Sequence, residues 1–253
     1  MNAETITSRQ NPLMTYLRKL ASSRSYRKKS GEYLCDGTKL LAEALKWGAE
    51  VKTAVFSEGV DIPPLPDGVR AVRVSEELMH SVSPMETPQG ALFTVALPEV
   101  QLPETLSGKH YLVLDGVQDP GNVGTILRTA DAFDCDGVFL VNACADLYNP
   151  KTARATMGAI FRREAYTVTA EELFALLRKS GVPLYGTALR DDTVPLAEAN
   201  LARAAVAIGS EGRGLSQQVL DECAKTLKIP MNPRCESLNA AIAATVVLWE
   251  MYR

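Results

Sequence analysis

Residues 111–130 read Tyr-Leu-Val-Leu-Asp-Gly-Val-Gln-Asp-Pro-Gly-Asn-Val-Gly-Thr-Ile-Leu-Arg-Thr-Ala, a pattern that indicates the fold class of the chain. An apolar run ends at Asp115, a turn rich in glycine and proline follows, and a helical pattern begins near Val123. The turn therefore points backbone amides and a helix N-terminus toward the carboxyl edge of a sheet, where open α/β sheets bind their ligands.

Similar apolar runs recur along the rest of the chain, with helical patterns between several of them, notably over residues 170–180. This alternation predicts parallel strands joined by crossovers, and so a doubly wound α/β domain. The predicted strands of this domain cover residues 111–115, 137–141, 165–168, 183–189, 204–208 and 226–230.

A smaller α/β domain is predicted before it, because short strand-like runs alternate there with helical patterns. The proline-punctuated, polar stretch that follows this domain is typical of a linker. We therefore divide the chain into a basic helical arm (1–30), a small domain (31–98), a linker (99–109) and the larger domain (110–253).

The net charge of −3 over 253 residues hides an asymmetry along the chain. The first 29 residues contain seven Lys/Arg and one Glu, a balance of +6 that leaves −9 for the remainder. Positive charge at one end could meet phosphates of a nucleic acid, and a solvated basic helix explains the same charge equally well.

Composition narrows the class of protein. The five cysteines are odd in number and scattered without C-x-x-C spacing, which favours a reduced, cytoplasmic setting. Two separated histidines predict no metal site. The longest apolar stretch, residues 238–249, is too short to cross a bilayer, and the basic residues after Met1 leave no room for a signal peptide.

Three motifs carry the chemistry, and each follows a predicted buried strand. They are Asn-Val-Gly-Thr-Ile-Leu-Arg-Thr-Ala (122–130), Ile-Gly-Ser-Glu-Gly-Arg-Gly (208–214) and Ile-Pro-Met-Asn-Pro-Arg-Cys-Glu-Ser-Leu-Asn (229–239). In this order they resemble the signature motifs of the SpoU/TrmH group of SPOUT RNA 2′-O-ribose methyltransferases. The stretch 232–236 departs from the small, glycine-containing loop common before Ser-Leu-Asn in that group.

The small domain carries a second resemblance. Its opening, residues 31–37, followed by Leu-Ala-Glu-Ala-Leu (41–45), is similar to the substrate-binding domain that precedes the methyltransferase domain in many SpoU-type enzymes. Cys35 and Asp36 stand where the family more often has an aliphatic residue and Glu.

The resemblance implies a trefoil knot in the larger domain, S-adenosylmethionine as cofactor and a homodimer joined through that domain. It implies that Arg128 acts on the ribose 2′-hydroxyl. The residues implied to position the arginine, the RNA phosphate or the ribose are Asn122, Glu211, Ser237 and Asn239, and those implied to contact the cofactor are Gly209, Ile229 and Leu238.

Simpler structural roles stand beside these assignments. Arg128 could be a surface charge, residues 209–214 an ordinary turn between strand and helix, and Ser237 a helix N-cap. A guanidinium stays protonated in nearly all protein settings, so Arg128 could clamp a phosphate instead of accepting a proton.

The motifs together predict methyl transfer to structured RNA, with ribosomal RNA preferred because the small domain resembles that of rRNA-directed enzymes. Transfer RNA is the alternative substrate. Two further hypotheses are a non-catalytic RNA-binding protein on the same fold and a nicotinamide-dependent oxidoreductase. The oxidoreductase lacks sequence support, because residues 121–124 do not have the G-x-G-x-x-G spacing.

Overall fold

The computed structural model describes residues 3–235 and 237–253. Contacts between residues divide the chain into two compact units. The first unit comprises Met1–Glu99 and Asp146–Arg162, and the second comprises Val100–Ala145 and Arg163–Arg253. Within the described residues, no helix has the length and apolar character that a membrane span requires.

The first unit contains a five-stranded mixed sheet with the order β1-β4-β3-β5-β2. Strand β5 runs antiparallel to both of its neighbours, and the other pairs are parallel. Its strands are β1 (Glu4–Thr5), β2 (Glu32–Asp36), β3 (Val51–Ser57), β4 (Arg70–Val74) and β5 (Ala91–Ala96), and the helices among them are α1 (Pro12–Ser22), α2 (Arg24–Ser30), α3 (Thr38–Lys46) and α4 (Glu76–Val82).

Helices α1 and α2 are present as predicted, but they do not form a separate basic arm. Leu13, Leu17 and other apolar residues of α1 are buried in one core with residues of β2, β3 and β4. The side chain of Arg27 in α2 is 4% exposed and donates to Asp146 Oδ2 at 2.6 Å. Part of the positive charge that could meet phosphates is therefore paired inside this unit.

A segment distant in sequence completes the first unit. Helix α6 (Pro150–Ala155) packs against β2, the edge strand of the sheet, and a 3₁₀ turn (Ala159–Phe161) follows it. Ala153 is fully buried in the core around Tyr33. Covering an exposed edge strand in this way protects its unpaired backbone groups. No helix was predicted for this segment.

The second unit is built on a seven-stranded, all-parallel sheet with the order β10-β12-β9-β11-β6-β7-β8. The α/β prediction is confirmed; the knot stays a prediction. Its strands are β6 (His110–Asp115), β7 (Gly137–Val141), β8 (Ala165–Thr167), β9 (Leu184–Thr187), β10 (Val194–Pro195), β11 (Ala204–Gly209) and β12 (Lys225–Lys228), and its helices are α5 (Pro120–Ala132), α7 (Ala170–Ser180), α8 (Gln217–Glu222) and α9 (Ala240–Tyr252).

Helix α5 starts earlier than predicted, and helix α9 does not begin with the N-cap considered for Ser237. Helix α5 begins at Pro120, three residues before the expected start, because Asp119 caps it by accepting from the backbone N–H of Asn122 at 2.7 Å. An Asp N-cap followed by Pro in the first turn is a common helix start. Helix α9 is capped by Asn239, so Ser237 lies before the helix and is not its N-cap.

Candidate active site

The three motifs follow the carboxyl ends of β6, β11 and β12. Strands β6 and β11 are neighbours, with Asp115 paired to Gly209 in the last register position. Parallel strands end at one edge of the sheet, so motifs distant in sequence can meet there.

Asn122 connects the three motifs through its side-chain amide. Its Nδ2 donates to Glu211 Oε1, and its Oδ1 accepts from Asn239 Nδ2 at 3.1 Å. Asn239 is held in turn, because its own Oδ1 accepts from the backbone N–H groups of Ala241 and Ile242 at the start of α9. A carboxamide both donates and accepts, which allows Asn122 to hold a carboxylate and a second amide at once.

A cavity of about 320 Å³, here called the first cavity, opens beside this network. Gly209, Ile229 and Leu238, the predicted cofactor contacts, all line it, together with Glu211 and Ser237. Aliphatic side chains supply much of the remaining wall, including those of Leu227, Met231, Ala240 and Ala243. Apolar walls with a few polar groups at one end are typical of a small-molecule site.

The second motif forms a loop that closes on itself at the wall of the first cavity. The backbone groups of Ser210 and Gly214 exchange two hydrogen bonds, of 3.1 and 2.9 Å. A Cβ atom on Gly209 would lie 2.2 Å from the carbonyl carbon of Gly214, so a side chain there would open the loop. Gly209 is therefore required by the backbone of the loop, in addition to any ligand that passes it.

Arg128 lies apart from this network. The side chain is exposed on α5 and forms no hydrogen bond or ion pair with the described residues. Glu211 forms no ion pair with this arginine, and its carboxylate accepts from Asn122. Arg128 follows Asn122 by six residues, or about 600° of helix rotation, so the two side chains leave α5 in different directions.

Asp115, which ends β6 and is 3% exposed, was not among the predicted site residues. Its Oδ2 accepts from the backbone N–H of Ser216 at 2.6 Å, and its Oδ1 accepts from Asn142 Nδ2 at 2.8 Å. These bonds connect the end of the second-motif loop to the residue after β7. A carboxylate that ends an apolar strand was the available signal, because a buried charge needs such partners.

Cys144 lies close to the same strand ends but is no candidate nucleophile. Its thiol donates to the carbonyls of Leu114 and Val141, each at 3.2 Å. Burial is the main cause that raises its pKa to about 11, so the thiol stays protonated at neutral pH.

The fold and the site define an α/β enzyme domain with a cofactor-sized cavity at the carboxyl edge of its sheet. The chain belongs to the SpoU rRNA Methylase family, which residues 109–249 match. Residues 11–92 match the MRM3-like substrate binding domain. The family resemblance read from the three motifs is thereby confirmed, and the oxidoreductase hypothesis is set aside.

Similar proteins extend over the whole chain. The 23S rRNA (guanosine(2553)-2′-O)-methyltransferase RlmP of Bacillus subtilis is 33% identical over 97% of this chain and 98% of its own length. The mitochondrial rRNA methyltransferase 3 of mouse is 31% identical over 91% of this chain and 69% of its own. The AdoMet-bound rRNA methyltransferase from Sinorhizobium meliloti superposes with a TM-score of 0.86 at 28% identity, covering 98% of this chain and 97% of that one.

Proposed function

We propose that this chain transfers a methyl group from S-adenosylmethionine to a ribose 2′-hydroxyl of ribosomal RNA. The observation that carries the proposal is the hydrogen-bonded set Asn122, Glu211 and Asn239 beside the first cavity. Family membership, the rRNA 2′-O-methyltransferase name of the Bacillus subtilis relative and the AdoMet-bound Sinorhizobium structure support the same reaction.

The first cavity fits the cofactor. Its volume and aliphatic wall suit the adenosine portion, for which Gly209, Ile229 and Leu238 are the proposed contacts. When bound, S-adenosylmethionine supplies a sulfonium methyl that is open to in-line displacement. The protein must then hold the 2′-oxygen in line with this methyl and help the hydroxyl proton to leave.

The polar residues divide this work. Asn122 holds the Glu211 carboxylate at the first cavity, and Asn239 holds Asn122 in turn. The ribose 2′-hydroxyl, which accepts the methyl group, can then donate its hydrogen bond to a fixed carboxylate oxygen. Ser237 lines the same cavity and can contact the ribose. Arg128 is free of protein partners in the described chain, which suits a phosphate clamp that becomes engaged when RNA binds.

We further propose that the protein works as a homodimer joined through α9. Three large apolar residues of this helix, Ile242, Trp249 and Tyr252, are each more than half exposed. The ring of Phe133 lies 5.8 Å from that of Trp249 and 5.7 Å from that of Tyr252, so the apolar residues form one patch. Burial of such a patch against a second copy removes it from water. Light scattering of the purified protein and of Trp249→Glu tests the dimer.

The remaining proposals concern the chain path and location. The knot, in which the last segments thread through an earlier loop, agrees with the fold of the family. A cytoplasmic location is supported by Cys35, Cys135, Cys144, Cys223 and Cys235, which are all free thiols.

The deciding experiment is methyl transfer in vitro with radiolabelled S-adenosylmethionine. The substrates are rRNA and tRNA fractions from a strain that lacks this gene, and the modified position is mapped by its 2′-O-methyl group. We expect label in rRNA at one ribose. Label in tRNA would assign the alternative substrate, and cofactor binding without transfer to either RNA would indicate a non-catalytic RNA-binding protein.

A further inference from the structure

The second-motif loop has another cavity on its far side, here called the second cavity. Its volume is about 380 Å³, and it lies among the turn after β6, the residue after β7 and the loop itself. Glu211 and Gly212 line both cavities, so the loop is the wall between them. The residues that line the second cavity include Asp115, Gly116, Gln118, Asn142, Arg213 and Ser216.

We propose that the second cavity receives the base of the nucleotide whose ribose is methylated, and that Gln118 and Arg213 contact this base. The inference rests on the proposed function. In a nucleotide, the carbon that bears the 2′-hydroxyl is bonded to the carbon that bears the base. A ribose held at Glu211 therefore places its base within a few ångströms of that residue. Glu211 lines the first cavity, which is assigned to the methyl donor, and it also lines the second, which is therefore the candidate for the base.

The walls of the second cavity are held in one arrangement. Both oxygens of the buried Asp115 carboxylate are engaged, by Ser216 and by Asn142, and Asn142 Nδ2 also donates to Ser216 Oγ at 3.1 Å. Asn142 and Ala143 both have left-handed backbone conformations, with φ of 53° and 61°. Consecutive non-glycine residues in this region are unusual and persist where the surroundings enforce them.

The turn on the opposite wall depends on a glycine. Gly116 has φ of 67°, and a Cβ atom there would lie 3.2 Å from the backbone oxygen of Asn142. The two walls therefore approach each other closely at this point, and a larger residue would push them apart. A cavity with preformed walls loses less conformational entropy when a planar ligand binds, which favours binding.

Two polar side chains of the second cavity are available to contact a base. Gln118 and Arg213 are exposed, and neither has a hydrogen-bond or ion-pair partner among the described residues. A carboxamide can pair with the donor and acceptor edge of a base, and a guanidinium can stack on its face or bind its acceptors. Proteins that read RNA sequence commonly contact unstacked bases in this way. A phosphate could also attract Arg213, but it gives the neutral Gln118 no comparable role.

The experiment measures single-turnover methyl transfer by the full-length protein to an RNA fragment that contains the mapped target. The fragment is made with the native base, with each of the other three bases, and with an abasic target. The variants are Gln118→Ala, Arg213→Ala and Arg213→Lys. Arg178→Ala is the matched control, because Arg178 is an exposed arginine of α7 that lies outside the three motifs and lines neither cavity.

We expect wild type to prefer the native base by about tenfold or more, as one well-placed polar contact to a base would give. Gln118→Ala and Arg213→Ala should lose most of this preference, with unchanged affinity for S-adenosylmethionine, whereas Arg178→Ala should keep it. Equal rates on all bases and on the abasic RNA would overturn the inference, and so would full rescue by Arg213→Lys, which indicates a phosphate contact. Failure of wild type to methylate any ribose would refute the proposed function itself.

Discussion

The side-chain amide of Asn122 donates to the carboxylate of Glu211, across 89 positions of sequence. This bond joins the first and second motifs at the mouth of the first cavity. Because Asn239 donates to the same asparagine, the orientation of Glu211 depends on residues from all three motifs. The first prediction follows from this dependence.

Asn122→Ala should reduce the rate of methyl transfer about a hundredfold, because a misplaced catalytic group costs that much. Asn122→Asp should be worse, since it places a second carboxylate against Glu211. Affinity for S-adenosylmethionine should be nearly unchanged in both variants. Single-turnover rates and calorimetry check this, and wild-type activity in Asn122→Asp would remove the network from the mechanism.

Variants of Arg128 distinguish two possible roles of this residue, a phosphate clamp and a group that takes part in proton transfer. Arg128→Ala should lose about a hundredfold or more in rate while binding the cofactor normally, because the lost contact is made only with RNA. Glu211 accepts from Asn122 and forms no ion pair with Arg128. We therefore expect Arg128→Lys to keep activity within about tenfold of wild type. A lysine variant as inactive as alanine would favour a role that needs the guanidinium itself.

The first cavity can be filled from α9 without disturbing the second-motif loop. Ala243 lines this cavity, and Ala243→Leu adds three carbons at a helical position that tolerates leucine. Affinity for S-adenosylmethionine should fall about tenfold or more, because a bulky side chain would occupy ligand volume. Ala243→Ser is the control for a small change at the same site.

Calorimetry on both Ala243 variants, with folding checked by circular dichroism, measures the effect. Unchanged affinity in Ala243→Leu would place the cofactor elsewhere. Gly209 is a poorer choice for this test, because a side chain there would collide with the backbone of Gly214 in its own loop.

Arg27 and its neighbour Lys28 should differ in what they contribute to the free energy of unfolding. Arg27→Ala removes one partner of a buried ion pair with Asp146, which should lower the free energy of unfolding by about 3 kcal/mol. Lys28 is exposed, so Lys28→Ala should change it by less than about 0.5 kcal/mol. Urea titrations of the two variants make this comparison, and equal stabilities would contradict the buried pair.

The exposed lysines of α2 are the better candidates for contact with RNA. Reversing the charge of Lys28 and Lys29 together should flatten the dependence of RNA affinity on salt, by about 2 in the slope of log K against log salt. An unchanged slope would show that this face of the first unit does not meet the phosphates.

Asp36 makes the stability of the first unit depend on pH. Burial is the main cause that raises the pKa of its carboxyl, and the hydroxyl of Ser83, 2.9 Å away, and Arg154 oppose it. A carboxyl whose pKa is higher in the folded state adds stability below its unfolded-state pKa and loses this contribution as the pH rises through the folded-state value. Wild type should therefore gain stability relative to Asp36→Asn as the pH falls from 7 to about 4. Urea titrations across this range measure the difference in free energy of unfolding between the two proteins. A difference that does not change with pH would contradict the prediction.

Much of the second unit was predictable because its signals are local. The strand over residues 137–141 and the helix over 170–180 have the predicted bounds, since a run of buried residues or a capped helix marks its own ends. Helix α6 was not predictable, because six residues are too few to show a helical period. Its place in the first unit depends on contacts with β2, which no nearby residue indicates.

The kinds of side chain at the site, and their position after strand ends, can be predicted from the sequence. The amide of Asn122, the carboxylate of Glu211 and the amide of Asn239 are all legible in the motifs, and parallel strands bring such ends to one edge. Which of these groups bond to each other depends on the three-dimensional arrangement of the elements. Glu211 accepts from Asn122 and forms no ion pair with Arg128. Both residues belong to α5, which begins at Pro120, and their side chains leave this helix in different directions.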